Sequence, residues 1–254
     1  MKRIQSWTLL IALGLLIGGC QNSTPAPATD TGTKEPSKES SSTSTDTSTE
    51  LEASVELPAE LKTAAAEYYG MTGSRESVFE TNWGEDKKGE GTERVRILNV
   101  ENGEARVDVV RAGELAQLGS ETVVIRKDGI YTESVGRGEL SKPALQLPSD
   151  VAPGKKWNSS FDLKMPDGSV VKAEMNGEAL AIEKIKLSDG KEYDALVIVN
   201  KYTMKSTPAS GAGSTVTGEA KSWLVKGLGM VKLDMPNPNE ANARMVMNLI
   251  LPKS

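Results

Sequence analysis

From Ser77 onward apolar and polar residues alternate with a period of two, and turn residues recur at intervals of about eight to twelve positions. This is the pattern of antiparallel strands with one dry and one wet face. In residues 104–110, Ala105, Val107 and Val109 alternate with Glu104, Arg106 and Asp108, and Glu101-Asn102-Gly103 separates this run from residues 93–100. Lys127-Asp128-Gly129 likewise joins 121–126 to 130–135. Asn-Gly and Asp-Gly offer the positive φ that a tight hairpin turn asks for. Residues 145–157, with Pro143 just before them, are interrupted by prolines and predict a crossing between two groups of strands. A second meander follows over 156–165, 169–175, 178–187 and 192–204, with turns at Pro166-Asp167-Gly168, Asn176-Gly177 and Ser188-Asp189-Gly190. Within 178–187 the apolar phase slips, from Leu180 and Ile182 to Ile185 and Leu187, which predicts a β-bulge at Glu183-Lys184. Residues 195–199 are apolar on both faces, the mark of a strand covered on both sides. After a loop over 206–214, residues 215–225 and 230–235 form a hairpin around Lys226-Gly227-Leu228-Gly229, and 243–251 close the chain as a strand.

One segment departs from this period. Residues 58–69 predict a helix, with proline in the first turn, a run of alanines, and Gly70 placed to end it in the left-handed conformation. Leu57, Leu61, Ala64, Ala65 and Tyr68 fall on one face, a stripe suited to lying on a sheet. The helix lacks the basic polar face of a membrane-surface helix. The expected fold is therefore mainly β: a curved antiparallel sheet or half-barrel over residues 55–254, with one N-terminal helix packed on it. It would cover 195–199 from one side.

Upstream of residue 55 the composition changes twice. Residues 21–54 are built from Ser, Thr, Pro, Asp, Glu and Lys with almost nothing to bury, and predict a disordered tether. As a flexible coil it would reach about 30–35 Å, and about 110 Å if pulled taut. Before it, Lys2 and Arg3 precede an apolar run over 4–17 that is short for a membrane span and has the order of a secretory signal. The run ends in Ile17-Gly18-Gly19-Cys20. These four residues resemble the bacterial lipobox, in which an aliphatic residue and two small residues lead to a cysteine that is lipidated and becomes the mature N-terminus. The resemblance implies a signal peptide at 1–19, diacylglycerol and palmitate-type acylation at Cys20, and a tether over 20–54. Small residues at 18 and 19 leave the peptidase access, and several acyl chains anchor a protein where one would not. The protein is thus expected at the cell membrane, lipid-anchored on the extracytoplasmic side. Cys20 is also the one cysteine of the chain, so an exported disulfide scaffold is excluded.

Charge and chemistry narrow the function further. The net charge is −5 and no block of lysine and arginine stands out, which argues against nucleic acid as a partner. The chain has no histidine, which removes Ser-His-Asp and Cys-His catalysis and histidine–thiolate zinc sites. Carboxylate pairs such as Asp162 with Asp167, or Glu174 with Glu178, lie where hairpin ends and wet faces place carboxylates anyway. The expectation is a protein that is not an enzyme and carries no cofactor or metal. Gly211-Ala212-Gly213 lacks the remainder of a phosphate-binding loop.

Pro153-Gly154, Trp157, the Asp-Gly turn before a valine-rich strand, and Trp223 followed by Gly227-Leu228-Gly229-Met230-Val231-Lys232 look like a group of bacterial envelope proteins similar to the LolA-like half-barrel. The likeness covers residues 122–234. It implies a strongly curved sheet with a helix on its concave side, in some relatives carrying lipid there. Eight methionines against two phenylalanines in the domain suit an adaptable apolar groove. Trp157, Met175, Met204, Trp223, Met230, Met245 and Met247 are the candidate ligand-binding residues. The alternative is a structural or interaction lipoprotein that binds a cell-wall polymer or envelope protein through an exposed cluster such as Trp83 or Tyr131, with its concavity filled.

Overall fold

The computed structural model describes residues 55–71, 73–84, 87–210, 212–237 and 243–252. The expected signal peptide, Cys20 and the tether lie outside the described residues. The strands are β1 (Arg75–Asn82), β2 (Lys88–Glu101), β3 (Glu104–Gly113), β4 (Glu121–Arg126), β5 (Gly129–Val135) and β6 (Gly138–Pro148). They continue as β7 (Lys156–Lys164), β8 (Val170–Lys186), β9 (Glu192–Thr207), β10 (Ser214–Val225), β11 (Gly229–Pro236) and β12 (Arg244–Ile250). Each pairs antiparallel with the next, and β12 returns to β1, with Val78 opposite Ile250 and Asn82 opposite Val246. Among the described residues the sheet is thus a closed barrel of twelve strands. Alternation predicts a curved antiparallel sheet; closure goes further and removes both edges.

The hairpin at Asn102-Gly103 is the expected one, with φ of 52° and 78°. Its counterpart is not: Arg126 faces Gly129 directly, and Gly129 does not adopt positive φ. Glycine is needed there for space, since a Cβ would lie 2.5 Å from the Leu147 carbonyl oxygen. Asn176-Gly177 is no turn either, because β8 runs unbroken through it. The Trp157 ring crosses Gly177, and a Cβ would stand 2.2 Å from its Cε2. The bulge of β8 occurs between Ala179 and Ile182, slightly before the expected Glu183-Lys184. Residues 145–148, expected in a crossing, belong to β6, but Pro143 and Pro148 bring no N–H to a ladder. Accordingly β6 pairs with β7 only at Glu139–Lys164 and Leu140–Leu163, and Ser141 Oγ accepts from the Asp162 N–H at 3.0 Å further along.

The expected helix over 58–69 is divided. A 3₁₀ turn, Ala59–Leu61, is followed by α1, Ala64–Tyr69. Thr63 intervenes because its hydroxyl accepts from the Ala66 N–H at 3.3 Å, starting a new helix in place of continuing the first. Gly70 ends α1 at φ 74°. Leu57, Leu61, Ala65, Ala66 and Tyr68 are buried in one cluster with Val95, Val107, Ile125, Ile130, Ile198 and Leu224. Those partners come from strands right around the barrel, so the segment plugs one end from inside. Gly227 N–H donates to the Glu67 carbonyl at 2.8 Å, fastening α1 to the β10–β11 turn.

A second cluster fills the rest of the interior with Phe79, Trp83, Leu115, Leu118, Phe161, Met204, Met235, Met245, Met247 and Leu249, and continues onto the outer face of β9 and β10. Residues 195–198 are buried on both faces, as expected. Leu196 and Ile198 belong to the plugged end, whereas Ala195 and Val197 share the other cluster with Leu187, Trp223 and Val225. The tip of the β8–β9 hairpin is pinned at Ser188, whose hydroxyl donates to the Leu251 carbonyl at 3.1 Å. The outward faces carry cross-strand ion pairs such as Arg94–Glu76 and Lys201–Glu219. That is the reverse of a barrel whose exterior meets lipid. No described helix is long and apolar enough to cross a membrane.

Candidate functional site

Between the two clusters the inward positions turn polar. Glu93 is in phase with Val95 and Ile97 on β2, Arg111 with Val107 and Val109 on β3, and Glu121 with Val123 and Ile125 on β4. Register places Glu93 opposite Arg111. Arg111 Nε lies 3.0 Å from Glu93 and its Nη2 2.7 Å from Glu121, while Nη1 donates to the Gly119 carbonyl at 3.1 Å. Arg75 joins from β1, with Nη2 3.2 Å from Glu93 and Nη1 2.5 Å from Ser77 Oγ. Thr132 and Gln146 donate to the other Glu121 oxygen at 3.3 and 3.2 Å. The side chains of Glu93 and Arg111 are 6% exposed and that of Glu121 1%, so this is a buried ion layer. Two cations and two anions make it neutral overall.

Burial opposes the charge on Arg111, but Glu121 and Glu93 outweigh it and hold the guanidinium more firmly protonated than usual. Burial likewise pushes the Tyr69 phenol well above its ordinary value, reinforced by Glu121 and Glu93 and opposed by Arg111 and Arg75. Tyr69 therefore presents a neutral hydroxyl to the layer.

Against this layer lies a cavity of about 130 Å³. Tyr69, Arg75, Asn200 and Ser222 form part of its polar wall; Met175, Met230, Met247, Leu224 and Leu233 form part of its apolar wall. The methionine expectation is thus divided by the fold. Met175, Met230 and Met247 line the cavity, whereas Met204 and Met245 lie in the adjoining cluster. Trp223 faces outward: its Nε1–H donates to Glu183 at 3.0 Å, and Lys221 and Lys232 each stand 4.6 Å from its ring. Trp157 lies over Gly177 and borders a separate depression with Asn158, Asn176 and Lys201. Trp83 is buried, contrary to its expected place in an exposed cluster.

Arg75, Glu93, Arg111 and Glu121 are not among the residues expected at a site. Their signal was present as charges falling in phase with the apolar face of a strand. Of the carboxylates considered for acid–base work, Asp167 is held below its usual range, chiefly by accepting from the Ser169 hydroxyl at 2.6 Å and its N–H at 2.9 Å. Glu178 pairs with Lys156 at 3.2 Å. Among the described residues no group of three or more His, Cys, Asp or Glu could hold a metal ion.

No family model matches the sequence, and no curated protein matches it. Similar solved structures include a protein of Parabacteroides distasonis provisionally described as a lipoprotein, with 13% identity and a TM-score of 0.47. Another is a protein of Bacteroides fragilis provisionally described as exported and as having a YmcC-like fold, with 12% identity and a TM-score of 0.44. Each similarity covers 68% of this chain and 92% of the other.

Proposed function

We propose that the protein is a lipoprotein, anchored through acylated Cys20 on the extracytoplasmic side of the cell membrane, whose barrel binds a ligand with an apolar part. In this reading it acts by binding and not by catalysis. The observation that carries the ligand is the cavity of about 130 Å³ where the ion layer meets Met175, Met230 and Met247. Thioethers on flexible stems adapt to a guest more readily than β-branched side chains do. The anchor rests on Ile17-Gly18-Gly19-Cys20 at the end of an apolar signal.

Native mass spectrometry of protein purified from its own membrane without detergent tests the ligand. A reproducible bound species supports the reading, and a bare mass refutes it. Cys20→Ala tests the anchor: the variant should leave the membrane fraction and lose incorporated lipid label, and a variant that keeps both would refute lipidation.

A second reading is favoured by the pairing of Arg75 and Arg111 with Glu93 and Glu121, which leaves no unbalanced charge for a guest. The barrel would then be a filled scaffold whose exterior meets an envelope protein or wall polymer. Crosslinking in whole cells that recovered a reproducible partner, together with a bare mass, would select it.

A further inference from the structure

We infer that the cavity is built for a small, uncharged amphiphile, about six to eight heavy atoms in size, with one hydroxyl or carbonyl end. This rests on the reading of the cavity as a ligand site, and adds to it the size, charge and orientation of the guest.

The size follows from the volume. A space of about 130 Å³ is close to the ~150 Å³ engineered cavity that holds a benzene, and below the ~300 Å³ at which sites for drug-sized molecules begin. A membrane-length acyl chain is therefore too large to lie wholly inside it. The plug of Leu57, Leu61 and Ala65 at one end and the close-packed Met235, Met245 and Leu249 at the other leave little room to extend it, since all six are buried at 5% exposure or less.

The charge follows from the ion layer. Its four ionic groups already balance, and a carboxylate or ammonium guest would add a buried charge with no free counterpart. The orientation follows from groups that are not balanced. The side chains of Tyr69, Asn200 and Ser222 line the cavity and make no side-chain hydrogen bond among the described residues. The phenol of Tyr69 is kept protonated by burial and the nearby carboxylates, so it can donate. Asn200 and Ser222 come from the inward faces of neighbouring strands: Ser222 is opposite Ile198, and Asn200 is opposite Ala220. These three side chains offer hydroxyl and amide donors to the cavity. They suit an oxygen acceptor, with the apolar body of the guest lying against Met175 on β8 and Met230 and Met247 on β11 and β12, which flank Asn200 and Ser222.

Methionine-methyl NMR on the full chain in lipid nanodiscs tests this with 1-hexanol and hexanoate as probes. Hexanol should shift the methyls of Met175, Met230 and Met247 saturably and leave Met71 and Met165 unmoved. Hexanoate should bind at least about tenfold more weakly. Ser222→Ala should weaken hexanol about tenfold, the worth of one buried hydrogen bond. Ala220→Leu, which fills the cavity from its wall, should abolish the shifts while the remaining spectrum reports an intact fold. Hexanoate binding as tightly as hexanol, or a long-chain lipid found bound by native mass spectrometry, would overturn this inference and leave the ligand reading standing. No saturable shift with either probe, together with a bare native mass, would overturn both and leave a cavity that holds water.

Discussion

The two ends of the barrel interior solve the same packing problem with different side chains. At the plugged end the strands supply β-branched residues, Val95, Ile97, Val107, Val109, Val123, Ile125 and Ile130, which close on Leu57, Leu61 and Ala65. At the other end Met204, Met235, Met245 and Met247 fill space around Phe79, Trp83 and Phe161. β-branched side chains have few rotamers and specify one arrangement, whereas unbranched thioethers fill irregular gaps and re-pack at low cost. The cavity lies where these regimes meet and takes lining residues from both clusters. The difference suggests a division of labour: the stiff end fixes the barrel and its plug, and the soft end adapts.

The largest effect should come from the layer between them. Glu121→Ala would leave Arg111 buried with one of its two carboxylate partners gone, and should cost about 3–5 kcal/mol in urea unfolding. A much smaller loss would mean that water reaches the layer freely. The comparison itself is sharpened by two conservative changes. Val107→Leu at the stiff end adds a methylene to a site with no exposure and should cost about 1–3 kcal/mol, whereas Met245→Leu at the soft end should cost less than about 1.5 kcal/mol. Equal costs, measured by the same denaturation, would erase the distinction between the ends.

A pH scan gives a smaller signal at the boundary. Because Tyr69 has a raised value in the folded state, the folded protein keeps the phenol proton after the unfolded chain has released it. The associated stability is complete below the unfolded value of about 10 and declines as the pH rises above it. Tyr69→Phe should therefore make the alkaline fall in Tm shallower, and an unchanged slope would place the hydroxyl in solvent. The smallest effect belongs outside. Lys226–Glu67 is an exposed pair at 2.6 Å, and Lys226→Ala should change stability by less than about 1 kcal/mol, falling further with salt.

Much of the strand order was legible because alternation is a local property. Residues 104–110, 215–225 and 230–235 declare a wet and a dry face on their own. What was not legible depended on a partner far along the chain. Gly177 resembles a turn residue until Trp157 is seen to cross it. Gly129 resembles a hairpin glycine until the Leu147 carbonyl is found beside it. The meeting of β1 with β12, which converts a curved sheet into a barrel, is a contact between residues more than 160 positions apart. The same limit explains the site. Met175, Met230 and Met247 could be nominated as adaptable apolar residues, but Trp223 could not be assigned to the outer face without the pairing of β10 and β11. The ion layer is the hardest part to see in the sequence, because Glu93, Arg111 and Glu121 are charged yet fall in the apolar phase of their strands.

A crystal structure of the full chain purified from its native membrane bears most directly on the claim that the cavity is a binding site. The account predicts electron density for a small guest, with an oxygen within hydrogen-bond distance of Ser222 or Asn200 and its body against Met175 and Met247. Ordered water alone in that space, or methionines closed over it, would contradict the claim.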